Sequence, residues 1–137
     1  MKRYNTGLIC GAFDVIHPGY IRLFMDAKSV CEKVIIALQT DPTVDRPEKD
    51  KPVQSVEDRE MILRAIRFID DVVLYTTESE LLELTAQDFY DVRILGTDYK
   101  EKYFTGREHG KQIHWHSRDH DYSASGLKRS IKKAVTK

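Results

Sequence analysis

With 137 residues and 41% hydrophobic content, the chain is long enough for one α/β core and short for two, so one domain over residues 1–137 is expected. Lys plus Arg and Asp plus Glu both total 22, so no global field selects nucleic acid or a membrane surface. No apolar run is long enough to span a bilayer, and no apolar core follows Lys2-Arg3 to make a signal peptide, which leads to the expectation of a cytoplasmic protein.

In chain order, the first strand is expected over Thr6 to Cys10. A helix then runs from Pro18, whose missing N–H is harmless in a first turn, to Val30. Its apolar positions Ile21, Phe24, Met25 and Ala27 point to a core, and Arg22, Asp26 and Lys28 to solvent. Lys33 to Gln39 carries the nearly continuous apolar run of a parallel strand covered on both faces. Cys31 falls near the end of the helix. Neither Cys31 nor Cys10 has the spacing of a ligand or redox pair, so both are expected as reduced, near-core residues.

Residues 43–52 form a polar, proline-punctuated loop. Ser55 then caps a helix, with Asp58 in its first turn, extending to about Phe68 on Ile62, Leu63, Ala65, Ile66 and Ile69. Further strands follow over Val72–Tyr75, Val92–Leu95 and Gln112–Trp115, with a short helix from Glu78 to Thr85 and a basic helix from about Ser125 to Val135. Alternating strands and helices give a Rossmann-like, doubly wound α/β sheet of five mostly parallel strands with helices on both faces. Ligands of such sheets sit beyond the carboxyl ends of the strands.

That rule directs attention to Leu8-Ile9-Cys10-Gly11-Ala12-Phe13-Asp14-Val15-Ile16-His17-Pro18-Gly19-Tyr20, an apolar strand, a tight turn and a helix start. The first amides of the helix lack internal partners and face the mouth of the sheet, an arrangement suited to nucleotide phosphates. By spacing alone, an ordinary strand-turn-helix with a surface histidine is the alternative.

The residues from Gly11 to Tyr20 resemble the glycine-x-phenylalanine-aspartate-x-x-histidine-x-glycine-histidine signature of the nucleotidyltransferase superfamily, above all the small cytidylyltransferases typified by glycerol-3-phosphate cytidylyltransferase. Tyr20 departs from the signature, standing where the second histidine belongs. Glu57-Asp58-Arg59 matches the helix arginine of that family, Arg67–Val73 one of its middle blocks, and Gly96-Thr97-Asp98-Tyr99 its glycine-x-aspartate-aromatic element. Near the end Arg118 and Ser123 fall on its arginine and serine, while Asp119, Asp121, Tyr122 and Ala124 depart.

The resemblance implies transfer of a nucleoside monophosphate, CMP from CTP in the main reading, to a small phosphorylated alcohol or related acid with release of pyrophosphate. An adenylyltransferase using ATP and a sugar phosphate is the alternative in chemistry, and a catalytically weak nucleotide-binding protein the alternative in class. Magnesium would arrive with the triphosphate, and a homodimer is implied. His17, Tyr20, Lys49 and Arg118 are the candidate catalytic residues. Gly11, Ala12, Phe13, Asp14, Gly19, Arg46, Arg59, Gly96, Asp98 and Ser123 are the candidate nucleotide-binding residues, with Lys51 in reserve behind Arg46 and Lys49. Asp14 reads equally as a carboxylate ordering the motif backbone or as one holding a magnesium-bound triphosphate, and Ser123 equally as a helix cap. His109, His114, His116 and His120 invite a zinc reading, but lack a thiolate or a third partner at structural-site spacing; bordering the acceptor pocket or packing at the sheet edge is the preferred reading.

Overall fold

The computed structural model describes residues 2–117 and 123–135. Five strands, β1 (Tyr4–Gly11), β2 (Cys31–Gln39), β3 (Asp71–Tyr75), β4 (Val92–Gly96) and β5 (Gln112–His116), form one sheet in the order β3-β2-β1-β4-β5. All four pairings are parallel, with Tyr4 opposite Cys31, Leu8 opposite both Ile35 and Arg93, and Gly96 opposite His116. Helices α1 (Pro18–Val30), α2 (Val56–Ala65), α3 (Glu78–Thr85) and α4 (Ala124–Val135) complete the expected Rossmann-like fold, with helices on both faces. Strand order reverses between β1 and β4, so the crevice for ligands opens at their carboxyl ends.

One face of the sheet carries Ile9, Val34, Ile36 and Ile94, packed against Phe24 and Ala27 of α1 and Leu63 of α2. The other carries Leu8, Ala37 and Tyr75 against Leu81 of α3 and Tyr90. Each fully buried Leu, Ile, Val or Phe contributes about 1.5–3 kcal/mol of transfer free energy. The continuous apolar run of β2 is thus explained by burial on both sides.

Three expectations are corrected. Cys31 opens β2 rather than closing α1: the helix passes into the strand without a loop, and Cys31 is the extended residue that caps it. The strand packs so tightly there that a Cβ on Gly7 would lie 2.6 Å from the Cys31 sulfur. Helix α2 stops at Ala65, because Ile66 turns to extended backbone and a short turn, Ile69 N–H to Ile66 C=O, delivers Ile69 to the core. The apolar spacing past Ala65 therefore reflects a buried turn. On α1, Met25 is half exposed and Asp26 faces β5, where it accepts from His114 Nε2 at 3.0 Å and His116 Nδ1 at 2.8 Å. The edge strand, invisible to helical periodicity, decides that side of α1.

Candidate active site

The segment between β1 and α1 folds back on itself at two non-glycine residues with left-handed backbone, Phe13 (φ 49°) and Val15 (φ 57°). Such conformations cost about 1–3 kcal/mol each and persist only where the surroundings over-determine them. Three side chains do so. Asp14 accepts the amides of Val53 (2.7 Å) and Gln54 (3.0 Å), and Gln54 Oε1 accepts the amide of Val15 (3.2 Å). Arg59, 2% exposed, donates to four carbonyls: Ala12, Gln39, Thr40 and Gln54. One guanidinium thereby joins the motif loop, the end of β2 and the approach to α2.

His17 is the N-cap of α1, its Nδ1 accepting the Gly19 amide at 3.0 Å. An accepting Nδ1 places the proton of the neutral ring on Nε2, making that nitrogen a hydrogen-bond donor. Tyr20 stacks on the imidazole with ring centroids 4.2 Å apart, and packs edge-on against Phe13 at 5.3 Å. The ring pair rests on the buried Phe24.

Two connected clefts open over this motif. The smaller, about 360 Å³, is lined by Gly11, His17, Gly19, Tyr20, Gly96, Asp98 and Ser123 among others. The larger, about 770 Å³, is lined by Asp14, Arg46, Lys49 and, from residues the sequence did not single out, Glu78, Arg93 and Lys128. Gly11, Ala12, Phe13 and Tyr20 belong to both walls. Of the sequence-derived candidates, Arg59 lies behind the clefts with its hydrogen bonds directed to backbone, Lys51 lines neither cleft, and Arg118 falls outside the described residues. Lys51 pairs with Asp41 at 3.5 Å.

Asp14 also pairs with Lys128 of α4, docking that helix over the motif. Burial alone would raise the Asp14 pKa, but hydrogen bonds from Lys128, Val53 and Gln54 outweigh it and hold the carboxyl below its usual range. A depressed folded-state pKa contributes stability above the unfolded value, and that stability is lost as pH falls through the folded value. Asp14→Asn is expected to cost about 1.5–3 kcal/mol at pH 7. Its thermal midpoint should fall less steeply than wild type as the medium is acidified below the ordinary carboxylate pKa. Parallel slopes for the two proteins would remove Asp14 from the acid-sensitive set.

Ser123 precedes α4 and its Oγ accepts the Gly126 amide at 2.9 Å, the geometry of a cap, while the residue also lines the smaller cleft. His114 and His116 share Asp26 at the sheet edge, and His116 also reaches the smaller cleft; His109 bonds the Leu82 carbonyl at 3.0 Å. His120 lies outside the described residues. Among the described residues no three His, Cys, Asp or Glu side chains converge as a metal set. Gln54, Arg93 and Lys128 escaped sequence reasoning because each finds its partner only through tertiary contacts.

A family model described as Cytidylyltransferase-like matches residues 8–121. The chain belongs to the cytidylyltransferase-like family. Its fold is a nucleotidyltransferase-like catalytic fold. Curated relatives include the bifunctional protein HldE of Gluconacetobacter diazotrophicus, 36% identical over 105 residues, covering 76% of this chain and 22% of the relative. The FAD synthase of Pyrococcus abyssi is 36% identical over 91 residues, covering 66% of this chain and 62% of the relative. The chain thus spans about a fifth of the bifunctional relative and less than two thirds of the synthase. Among solved structures, a lipopolysaccharide core biosynthesis protein from Thermoplasma volcanium GSS1 superposes with TM-score 0.66 at 18% identity, covering 88% of this chain and 99% of that one, a likeness of fold. Among the described residues, no helix of this cytidylyltransferase-like chain is long and apolar enough to cross a membrane.

Proposed function

We propose that this protein transfers an adenylyl group from magnesium-bound ATP to a small phosphorylated acceptor, releasing pyrophosphate. The observation that carries the choice of nucleotide is the 36% identity to an FAD synthase, since FAD is AMP joined through a pyrophosphate to a flavin phosphate. The relatives as a group lean the same way, which moves ATP ahead of the CTP expected from the first motif. CTP remains the second reading, favoured by the description of the matching family.

The chemistry needs no protein nucleophile. An oxygen of the acceptor phosphate attacks the α-phosphorus in line, a new P–O bond forms, and the bond to the β-phosphate oxygen breaks with its electrons leaving on pyrophosphate. The protein must hold two anions together and stabilise the charge of the transferring group. In this reading His17 donates from Nε2 to an α-phosphate oxygen, while the first-turn amides of Gly19, Tyr20 and Ile21 are already taken up by His17 itself and, contrary to the expectation from sequence, are not open to the phosphate. Tyr20 supplies a second, neutral donor from the same turn. Arg46 and Lys49, on the exposed loop bordering the larger cleft, cover the triphosphate, and Arg118 adds positive charge from the last block. Gly96 and Asp98 border the nucleoside. Magnesium enters as part of the substrate, coordinated by phosphates and water, as is usual for a cation that dehydrates reluctantly. A homodimer and a cytoplasmic location complete the proposal; Ile131 and Val135 of α4, 52% and 76% exposed, offer apolar surface for a second copy.

The test is pyrophosphate release from ATP and from CTP with a panel of polyol phosphates, sugar phosphates and flavin mononucleotide. ATP is expected to be used in preference to CTP with at least one acceptor. Preference for CTP reinstates the second reading, and tight nucleotide binding without turnover on any acceptor marks a catalytically weak nucleotide-binding protein. Tyr20→Phe keeps the stack on His17 and deletes only the hydroxyl. A hydrogen bond to a charged oxygen is worth about 1.5–3 kcal/mol, so kcat/KM for the nucleotide should fall roughly tenfold to a hundredfold. An unchanged value would reduce Tyr20 to packing.

A further inference from the structure

We propose that Arg93, on the floor of the larger cleft, holds the phosphate of the acceptor substrate; this rests on the nucleotidyl-transfer reading above. Arg93 projects from β4, on the face carrying Leu8 and Tyr75, and is 5% exposed. Its Nη1 donates to the Thr105 carbonyl at 2.7 Å, and the guanidinium lies 5.4 Å from the centroid of the Phe104 ring. Its Nε is buried with no hydrogen-bond partner, and among the described residues no carboxylate forms an ion pair with it. A buried cation left without a counterion carries a desolvation cost that an incoming anion relieves.

The neighbours do not neutralise it. Glu78 is the acidic group on that side of the cleft, and its carboxylate is engaged elsewhere, accepting from Thr105 Oγ1 at 2.6 Å and facing Arg46 at 3.9 Å. Cys10 borders the same space, but burial pushes its thiol pKa up against the opposing pull of Arg93, so it stays protonated. Burial likewise pushes the Tyr75 hydroxyl up and keeps it neutral. Across the cleft Lys128 is already paired with Asp14.

The guanidinium is also held in place. Gly106 has φ 93°, and a Cβ there would lie 2.5 Å from Thr85 Oγ1 and 3.1 Å from Arg93 Nη1. Only glycine lets the chain around Thr105 close down on the arginine. A rigid planar fork with open donors suits a phosphate monoester better than a hydroxyl. His17, Gly96 and Asp98, given to the α-phosphate and nucleoside, line the smaller cleft, whereas Arg93 is buried in the wall of the larger, beyond the shared Gly11–Phe13 wall. The exposed Arg46 and Lys49 border that larger cleft too, so ATP affinity is the readout that separates an acceptor phosphate from the triphosphate.

The test compares wild type, Arg93→Met and Arg93→Lys in three measurements. Thermal midpoints are taken with and without inorganic phosphate or glycerol 3-phosphate, ATP affinity by calorimetry, and steady-state constants with any acceptor that releases pyrophosphate. Wild type should be stabilised by both phosphates, and Arg93→Met should lose that response while binding ATP as before. The Met variant removes no ion pair but leaves the half-buried Thr105 carbonyl without its donor, so its midpoint without ligand should fall only modestly. With a working acceptor, its KM should rise roughly tenfold or more while kcat changes less. Arg93→Lys should retain part of the response, and decides the matter on the same readouts should the Met variant fail to fold. An undiminished phosphate response in the Met variant overturns the proposal, as does a loss of ATP affinity, which would assign Arg93 to the nucleotide. A large drop in the ligand-free midpoint with unchanged acceptor KM makes it a structural residue. Absence of turnover with every acceptor, alongside a phosphate response that depends on Arg93, overturns the transfer reading and leaves the anion site standing.

Discussion

His17→Ala is expected to lower turnover a hundredfold or more, a loss of about 3 kcal/mol of transition-state stabilisation. The structure adds a complication, since the ring also caps α1 through Nδ1. Losing an N-cap costs about 0.5–2 kcal/mol of stability, so part of any loss in the alanine variant belongs to the helix. His17→Asn separates the two effects. Asparagine is among the best N-caps, and can accept the Gly19 amide while offering no imidazole Nε2. Stability should return to near wild type in the asparagine variant while turnover stays low. Recovery of turnover together with stability would assign His17 to the cap alone, and the charge on the α-phosphate would then need another donor.

The largest effect on stability is expected at Arg59. Its four carbonyl acceptors lie on three separate segments, and replacing it with methionine leaves buried acceptors without donors. Each unsatisfied group costs about 1–3 kcal/mol, and since such terms are not additive the total is expected at about 4 kcal/mol. Arg59→Lys should recover little, because a single ammonium cannot reach four carbonyls spread around a planar fork. Burial pulls the guanidinium pKa down, but an arginine still stays charged across the working range. Urea denaturation midpoints of both variants provide the measurement. A methionine variant of wild-type stability that has lost nucleotide affinity would make Arg59 a direct ligand contact; a variant that loses both would place its effect in the loops it holds.

Much of this architecture is legible in the sequence, because the forces involved are local. Proline at the start of α1, the Ser55 hydroxyl that accepts the Asp58 amide, and the unbroken apolar run of β2 each express a preference within a few residues. The Gly11–Tyr20 string itself is legible as a strand, a turn and a helix start, and the motif residues do gather around the two clefts. Where reading by period fails, a distant element decides: Asp26 faces inward because β5 brings two histidines to it, and Ile69 is buried from a turn rather than a helix.

The division is sharpest among the polar residues of the site. Sequence identifies Asp14 and Arg59 as members of a pattern, but their tasks depend on partners that the fold brings from far along the chain. Asp14 meets Val53, Gln54 and Lys128; Arg59 meets Ala12 and the end of β2. Arg93 carries no sequence signature: in an apolar strand it reads as one polar position, and its missing counterion emerges only when β1, α3 and the chain around Thr105 close around it. Periodicity encodes which face of an element is buried. The pairing of a buried charge depends on which loops meet across the sheet, and that is set by the tertiary structure alone.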